Sequence, residues 1–281
     1  MAELWKGAPA AAALTGRLTE QAAALRERGI SPTLAIVRVG ERPEDLSYER
    51  GALKRCEKIG ISVKQFILSA SAAQDELLET IRQVNESPEI HGCLLFRPLP
   101  GHMDEAAACA ALSPAKDVDG ITPGSLAGVF SGSGQGFPPC TAQACIELLE
   151  HYGCDLSGKR AVVVGRSLVI GRPVAMLLLQ RNATVTLCHT RTADLATECR
   201  RADVLIAAAG RAGIIGADCI APGQIIIDVG INADEDGNLV GDVDFAAAES
   251  VVRAITPVPG GVGAVTTSVL AQHVLEAAAL R

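Results

Sequence analysis

Lys159 to Thr192 reads KRAVVVGRSLVIGRPVAMLLLQRNATVTLCHTRT, and this stretch decides the fold. An apolar β-branched run, Ala161 to Val164, leads into Gly165-Arg166-Ser167. Gly171 and Pro173 follow, then a helix-like apolar stretch from Val174 to Leu179, and a second β-branched run from Ala183 to Leu187. Strand, glycine turn, helix and strand within about thirty residues form the βαβ unit that binds a dinucleotide. Glycine lets the backbone approach a pyrophosphate, and the free amides of a helix start face its negative charge. Pro173 suits a first helical turn, where its missing N–H costs nothing. The spacing is not GxGxxG, because Gly165 and Gly171 stand six apart with no glycine at 167. An ordinary strand-to-helix turn is the alternative; the strand and helix context favours a dinucleotide, with Gly165, Arg166 and Ser167 against its phosphates.

The end of the second strand narrows the cofactor. An NAD site offers Asp or Glu about 20 residues beyond the glycines, to hold the ribose hydroxyls. Here the strand runs into Cys188-His189-Thr190-Arg191, with no carboxylate before Asp194. The Thr190 hydroxyl and the Arg191 guanidinium suit a phosphate on that ribose, and Arg166 reaches the same region from the turn. NADP is therefore the expected cofactor rather than NAD. Solvated loop polars are the alternative reading of these residues.

Working outward, the chain has 281 residues, too long for one ordinary core and suited to two domains. With 48% apolar and only 3% aromatic residues, its cores must be built from Ala, Val, Ile and Leu, as in buried parallel strands covered by helices. A net charge of −7 without a basic cluster excludes nucleic acid as the partner class. No apolar run approaches the ~20 residues of a membrane span. The N-terminus carries Glu3 and reads as an amphipathic helix rather than a signal peptide. Nine cysteines without CxxC spacing read as reduced buried thiols of a cytoplasmic protein, not as a zinc site or disulfide frame.

The N-terminal half alternates helix and strand. Residues 8–29 read as helix, Thr33–Val39 as strand, Leu46–Ile59 as helix, Val63–Leu68 as strand, Gln74–Asn85 as helix and His91–Phe96 as strand. This implies a parallel sheet with right-handed crossovers, its strand ends facing a crevice. The Gly/Ser/Pro-rich stretch from Gly124 to Pro139 reads as a linker. A helix starts at Thr141, two more buried strands are Val204–Ala208 and Ile225–Val229, and Thr267 to Leu280 forms a last helix that returns to the first domain. The expected architecture is α/β with two domains, each a mostly parallel sheet with flanking helices and a crevice between them. Residues 1–140, joined by the helix at 267–281, form one domain; residues 141–266 form the Rossmann-like one.

Four short segments outside the βαβ unit carry candidate chemistry: the helix bearing Tyr48, then FRPLP, KDVDG and ITPVPGGVG. Asp117 and Asp119 flank Val118 and share a face of an extended segment, with a cap or turn as the alternative use. In PVPGGVG, residues 257–263, three glycines between β-branched residues permit close approach of a flat ligand, or a tight surface turn.

GRSLVIGRP, ATVTLCHTRT, KDVDG, IDVGIN, GDVDF, ITPVPGGVG and the Tyr48 helix ending in GI occur in one order over nearly the whole chain. Together they resemble the methylene-tetrahydrofolate dehydrogenase/methenyl-tetrahydrofolate cyclohydrolase family of the bacterial FolD type. The resemblance implies hydride transfer from the methylene bridge of a tetrahydrofolate derivative to NADP, then opening of the methenyl cation by water, in a homodimer joined through its cofactor domain. It implies that Ile231 of IDVGIN joins the cofactor residues. It also implies that Tyr48, Leu99, Asp119, Pro259, Gly260, Gly261, Val262 and Gly263 serve the folate, with Tyr48 and Asp119 as the catalytic pair; no metal is implied. In the family a Tyr-x-x-x-Lys pair, the Gln of V-Q-L-P-L-P and the second Asp of K-D-V-D-G serve the folate, the Lys being most tied to hydrolysis.

This chain departs at two of those four positions. Ala52 stands where the Lys is expected, and Phe96 where the Gln is expected. Lys54 lies roughly 200° round the helix from Ala52 and points away. Arg55 returns to the face of Tyr48 one turn further on, and Arg97 lies beside Phe96, but a guanidinium does not give up its proton. Ala264 and Val265 replace the expected Pro-Met, and Ser125 and Ala127-Gly128 replace the expected Asn and Gly-Arg, so the pocket is reshaped. Hydride transfer needs chiefly two aligned rings; hydrolysis also needs a proton acceptor, for which a buried lysine is suited. The expectation is a dehydrogenase with weak or absent cyclohydrolase activity. A catalytically silent folate- and NADP-binding homologue is the competing reading. An NAD-dependent hydroxy-acid dehydrogenase would need a catalytic His or Lys near the nicotinamide, and His189 sits at the adenosine end instead.

Overall fold

A computed structural model of the chain describes residues 1–280; Arg281, grouped with the last helix above, lies outside the described residues. The elements in order are β1 (Glu3–Leu4), α1 (Gly7–Glu27), β2 (Thr33–Val39), α2 (Pro43–Ile59), β3 (Ser62–Leu68), α3 (Gln74–Glu86), β4 (Gly92–Leu95), α4 (Glu105–Ala111), α5 (Pro123–Ser131) and α6 (Cys140–His151). They continue with β5 (Arg160–Val164), α7 (Gly171–Gln180), β6 (Thr184–Cys188), α8 (Leu195–Arg200), β7 (Val204–Ala207), β8 (Ile225–Asp228), β9 (Asn232–Ala233), β10 (Leu239–Val240), α9 (Phe245–Glu249), β11 (Ala254–Ile255) and α10 (Thr266–Ala279).

The chain forms two units, one of Ala13–Cys140 with the segment from Thr267 onward, the other of Met1–Ala12 with Thr141–Thr266. The first unit holds a three-stranded sheet in the order β3-β2-β4, parallel throughout. β2 lies in the middle, and all seven of its residues are buried, which is why TLAIVRV reads as a near-continuous apolar run. Its core gathers Val37, Leu77, Ile81, Val84 and Leu95. α2 begins at Pro43, three residues before the expected Leu46. Proline is tolerated there, Glu44 and Asp45 suit the helix N-terminus, and Arg42 donates to Asp45 at 2.6 and 2.9 Å. Gly60 ends the helix with a φ of 88°.

The second unit is a six-stranded sheet in the order β1-β11-β8-β7-β5-β6, every pair parallel. β5 pairs with β6 on one side and β7 on the other, so the strand order reverses at its carboxyl end, where ligands bind in open α/β sheets. The interior strands β7 (VLIA) and β8 (IIID) are fully buried, whereas β6 at the sheet edge is largely exposed, with only Cys188 buried. β9 and β10 form a small antiparallel hairpin.

Two expectations need correction. Met1–Ala12 belongs with the dinucleotide-type sheet, because β1 adds to its edge beside β11, with Glu3 opposite Ala254 and Leu4 opposite Ile255. The stretch from Gly124 to Pro139 is not a plain linker: Pro123–Ser131 is helical, with Thr122 capping its start through the amide of Ser125. The small residues that suggested a loop serve close packing; a Cβ on Gly128 would lie 1.9 Å from the carbonyl oxygen of Gln135. No helix among the described residues is long and apolar enough to cross a membrane. All nine cysteines are free thiols, eight of them buried.

Candidate active site

KDVDG separates into three jobs. Lys116 is buried, and its Nζ donates to the carbonyls of Val84 and Ser87, both at 2.6 Å, at the end of α3. Cations suit a helix C-terminus, where carbonyls lack partners. The buried Asp117 carboxylate accepts from the amides of Ile121 (2.9 Å) and Thr122 (2.7 Å), so it is the turn residue of the pair. Asp119 is half-buried. Burial pushes its carboxyl up to about 6, the charge of Asp117 adds to this, and the Cys140 thiol and Arg97 pull the other way.

Behind Asp119, the carbonyl of Val118 accepts from His273 Nδ1 at 2.8 Å and from Cys140 Sγ at 3.2 Å. His273 lies on α10, so the last helix fixes the backbone that presents Asp119. Burial pushes the His273 imidazole down to about 4. The imidazole is neutral in folded and unfolded chains above its ordinary value near 6.5. As pH falls from there toward 4, the unfolded chain takes up a proton that the folded chain refuses, and stability is lost. In urea unfolding, the parent should lose roughly 2–3 kcal/mol more than His273→Gln between pH 7 and pH 4.5, at 1.36 kcal/mol per pK unit. The raised carboxyls of Asp119 and Asp228 act in the opposite direction, and they cancel in this comparison. Equal acid sensitivity of the two proteins would refute this role for His273.

Tyr48 is half-buried on α2, and its ring meets Phe96 edge-on, with centroids 6.0 Å apart and planes at 82°. Ala52, one turn along, is fully buried. Tyr48 therefore has an aromatic ring beside it and, one helical turn on, a methyl group on its own helix face. Arg55 is held elsewhere: its Nη1 donates to Thr15 Oγ1 at 2.6 Å and its Nε reaches Thr267 Oγ1 at 3.5 Å. Arg97 Nη1 lies 3.5 Å from Glu105, whose other oxygen accepts from the Leu99 amide at 2.9 Å. Leu99 itself packs against the core, so its backbone is the part tied to this loop.

In the other unit, Gly165 sits at φ 126°, and a Cβ there would lie 2.0 Å from the carbonyl oxygen of Ala208. A Cβ on Gly171 would lie 2.0 Å from the carbonyl oxygen of Gly165. The six-residue spacing is therefore a packing requirement: the first residue of α7 rests on the turn that Gly165 makes. Ser167 Oγ accepts from the amides of Ile170 (3.1 Å) and Gly171 (3.5 Å), ordering the turn that leads into α7. A cavity of about 450 Å³ opens here, lined among others by Gly165, Arg166, Ser167, His189, Thr190 and Arg211. This cradle of backbone without side chains, a helix start and exposed cations fits a dinucleotide phosphate.

Arg191 and Ile231 do not line that cavity; both are exposed. His189 Nδ1 accepts from the Arg191 amide at 3.0 Å, which makes the ring a local structural partner. In PVPGGVG, Gly261 and Val262 are buried, while Pro259, Gly260 and Gly263 face solvent. Val262–Ala264 forms a short 3₁₀ turn at the end of this segment. Gly260 accepts from the Gly7 amide at 2.8 Å, and a Cβ on Gly7 would strike the Gly261 carbonyl oxygen at 2.0 Å, so part of this glycine content seats the start of α1. Sequence reasoning missed His273, Cys140, Asp228 and Asp242, which act through backbone groups. Asp228 and Asp242 were visible only as parts of IDVGIN and GDVDF.

Residues 5–119 match the family model of the tetrahydrofolate dehydrogenase/cyclohydrolase catalytic domain, and residues 139–281 match that of its NAD(P)-binding domain. The chain is 48% identical over 279 residues to the bifunctional protein FolD of Clostridioides difficile, covering 99% of this chain and 97% of the relative. The FolD methylenetetrahydrofolate dehydrogenase/cyclohydrolase of Campylobacter jejuni superposes with a TM-score of 0.96 at 38% identity, covering all of both chains. The Trypanosoma brucei FolD enzyme, solved with NADP cofactor and an inhibitor, superposes at 0.92 with 36% identity, covering 99% of this chain and 98% of that one. On these two domain matches and this full-length similarity, the chain belongs to the tetrahydrofolate dehydrogenase/cyclohydrolase family.

Proposed function

We propose that this chain is an NADP-dependent methylene-tetrahydrofolate dehydrogenase whose cyclohydrolase activity is weak or absent. Two observations carry this reading: the Gly165 turn opens on a cavity, and the wall beside Tyr48 is apolar, with Ala52 fully buried and Phe96 against the tyrosine ring. NADP, when bound, accepts the hydride. The chain's part in that step is positioning: Tyr48 and Asp119 would orient the folate, and the backbone of Gly260 to Gly263 would contribute to its binding. Water addition needs a proton acceptor at the one-carbon unit. The amine expected at position 52 is gone, and the neighbouring cations Arg55 and Arg97 are guanidinium groups engaged with Thr15 and Glu105. The exposed β6 edge supports the homodimer that the resemblance implies.

For the cofactor, Arg166 and Thr190 on the cavity wall and Arg191 beside it suit the extra ribose phosphate of NADP. Initial rates of reduced-cofactor formation from methylene-tetrahydrofolate should favour NADP over NAD at least tenfold in kcat/KM. Arg166→Gln with Arg191→Gln should lower NADP efficiency about 10- to 100-fold, as expected for lost hydrogen bonds to a charged group, and leave NAD within about threefold. Equal use of both cofactors by the parent would refute the assignment. The complete absence of NADPH formation would favour the silent binding homologue, which the loss of both the Lys and the Gln otherwise supports.

A further inference from the structure

Two buried aspartates lie beneath the turn that follows β7. The Asp228 carboxylate accepts from the amides of Gly230 (2.9 Å), Asp242 (3.0 Å) and Val243 (3.0 Å). The Asp242 carboxylate accepts from three successive amides, those of Ala209 (2.6 Å), Gly210 (2.9 Å) and Arg211 (2.9 Å), and from Asn232 Nδ2 (3.0 Å). Asp242 has no solvent exposure. Burying a carboxylate is costly unless its oxygens are hydrogen-bonded, and here every bond ties down backbone or a neighbouring amide. The surroundings are cleared for the pair: a Cβ on Gly230 would fall 2.3 Å from Asp242 Oδ1, and one on Gly241 would fall 1.9 Å from Asp228 Oδ2.

The secured segment is one wall of the phosphate cavity. Ala208, Ala209 and Arg211 line it beside Gly165, whose missing Cβ makes room for the Ala208 carbonyl. We propose that Asp242 is a positioning residue for the dinucleotide, setting the 209–211 turn at the height from which its backbone and Arg211 meet the bound cofactor. Three consecutive amides that would otherwise point at random are converged on one carboxylate, so the wall is formed before the ligand arrives, which lowers the ordering cost of binding. This rests on the reading of the cavity as the NADP site.

Two measurements test it. In Asp242→Asn, one acceptor oxygen becomes an amide that faces amide N–H groups. The Kd for NADP should rise at least tenfold, while kcat at saturating NADP and the KM for methylene-tetrahydrofolate stay within about threefold. A folded Asp242→Asn protein that binds NADP within twofold of the parent overturns the proposal. Hydrogen exchange on the parent chain keeps the test independent of that variant's folding: amides 209–211 should exchange slowly without ligand and more slowly with NADP. Slowing at 165–171 with none at 209–211 overturns the role of Asp242 alone. No slowing anywhere, with no NADP binding, overturns the NADP reading and this proposal with it.

Discussion

The Ala52→Lys, Phe96→Gln double variant is expected to gain enzyme-dependent hydrolysis of methenyl-tetrahydrofolate, about 100-fold or more over the parent, whose rate should match the spontaneous one. The figure sits within the 10²–10⁴ range that a positioned acid–base group supplies. Residues 48 and 52 share a helix face, so a lysine at 52 projects beside Tyr48. Neither change suffices alone. In Ala52→Lys an ammonium would enter a fully buried position against an aromatic ring, without a partner, and such burial costs several kcal/mol or forces the amine neutral. Phe96→Gln both vacates the space and supplies a hydrogen-bond partner. Each single variant should therefore hydrolyse no faster than the parent, and the coupling between the two changes is the informative quantity. Loss of methenyl absorbance, corrected for the spontaneous rate, is the readout. Parent activity well above that rate would mean another group accepts the proton. Asp119, with its carboxyl pushed up to about 6, is the first to examine by Asp119→Asn.

The second large effect is expected at the phosphate turn. Gly165→Ala should lower NADP-dependent oxidation at least 100-fold in kcat/KM. The residue sits at φ 126°, which side chains rarely adopt, and its new methyl would lie 2.0 Å from a backbone oxygen that cannot swing aside. Strained backbone of this kind costs on the order of 1–3 kcal/mol before any clash is counted, so the turn and the start of α7 must shift together, since Gly171 rests on the same turn. Gly158→Ala is the control. It also has positive φ, at 72°, yet nothing lies within 4 Å of the added carbon, so it should lower stability modestly and leave the KM for NADP unchanged. If both variants behave alike, close packing of the turn is not what the cofactor requires.

Much of the fold is legible in the sequence because burial and period coincide. β2, β5, β7 and β8 are continuous apolar runs because they lie inside parallel sheets. Short or atypical elements are not legible. β1 and β11 are two-residue strands, too short to carry a period, so nothing in MAELWK announces that it completes a sheet some 250 residues later. The stretch after Gly124 misleads because glycines that make room for neighbouring backbone look the same as glycines that loosen a chain. The candidate site divides in the same way. Tyr48, Asp119 and Gly165 are recognisable by residue type and place, and the Ala52 and Phe96 departures are visible only against a family pattern. Lys116, His273 and Asp242 act on backbone carbonyls and amides, and a sequence does not record where backbone groups point.

The separation of oxidation from water addition is tested most directly by product stoichiometry in a single reaction. Methylene-tetrahydrofolate and NADP are given to the parent enzyme, and NADPH, methenyl- and formyl-tetrahydrofolate are quantified as the reaction proceeds. The account predicts one methenyl-tetrahydrofolate for each NADPH, apart from the fraction that hydrolyses at the enzyme-free rate. Formyl-tetrahydrofolate appearing in step with NADPH, with no methenyl compound accumulating, would contradict it.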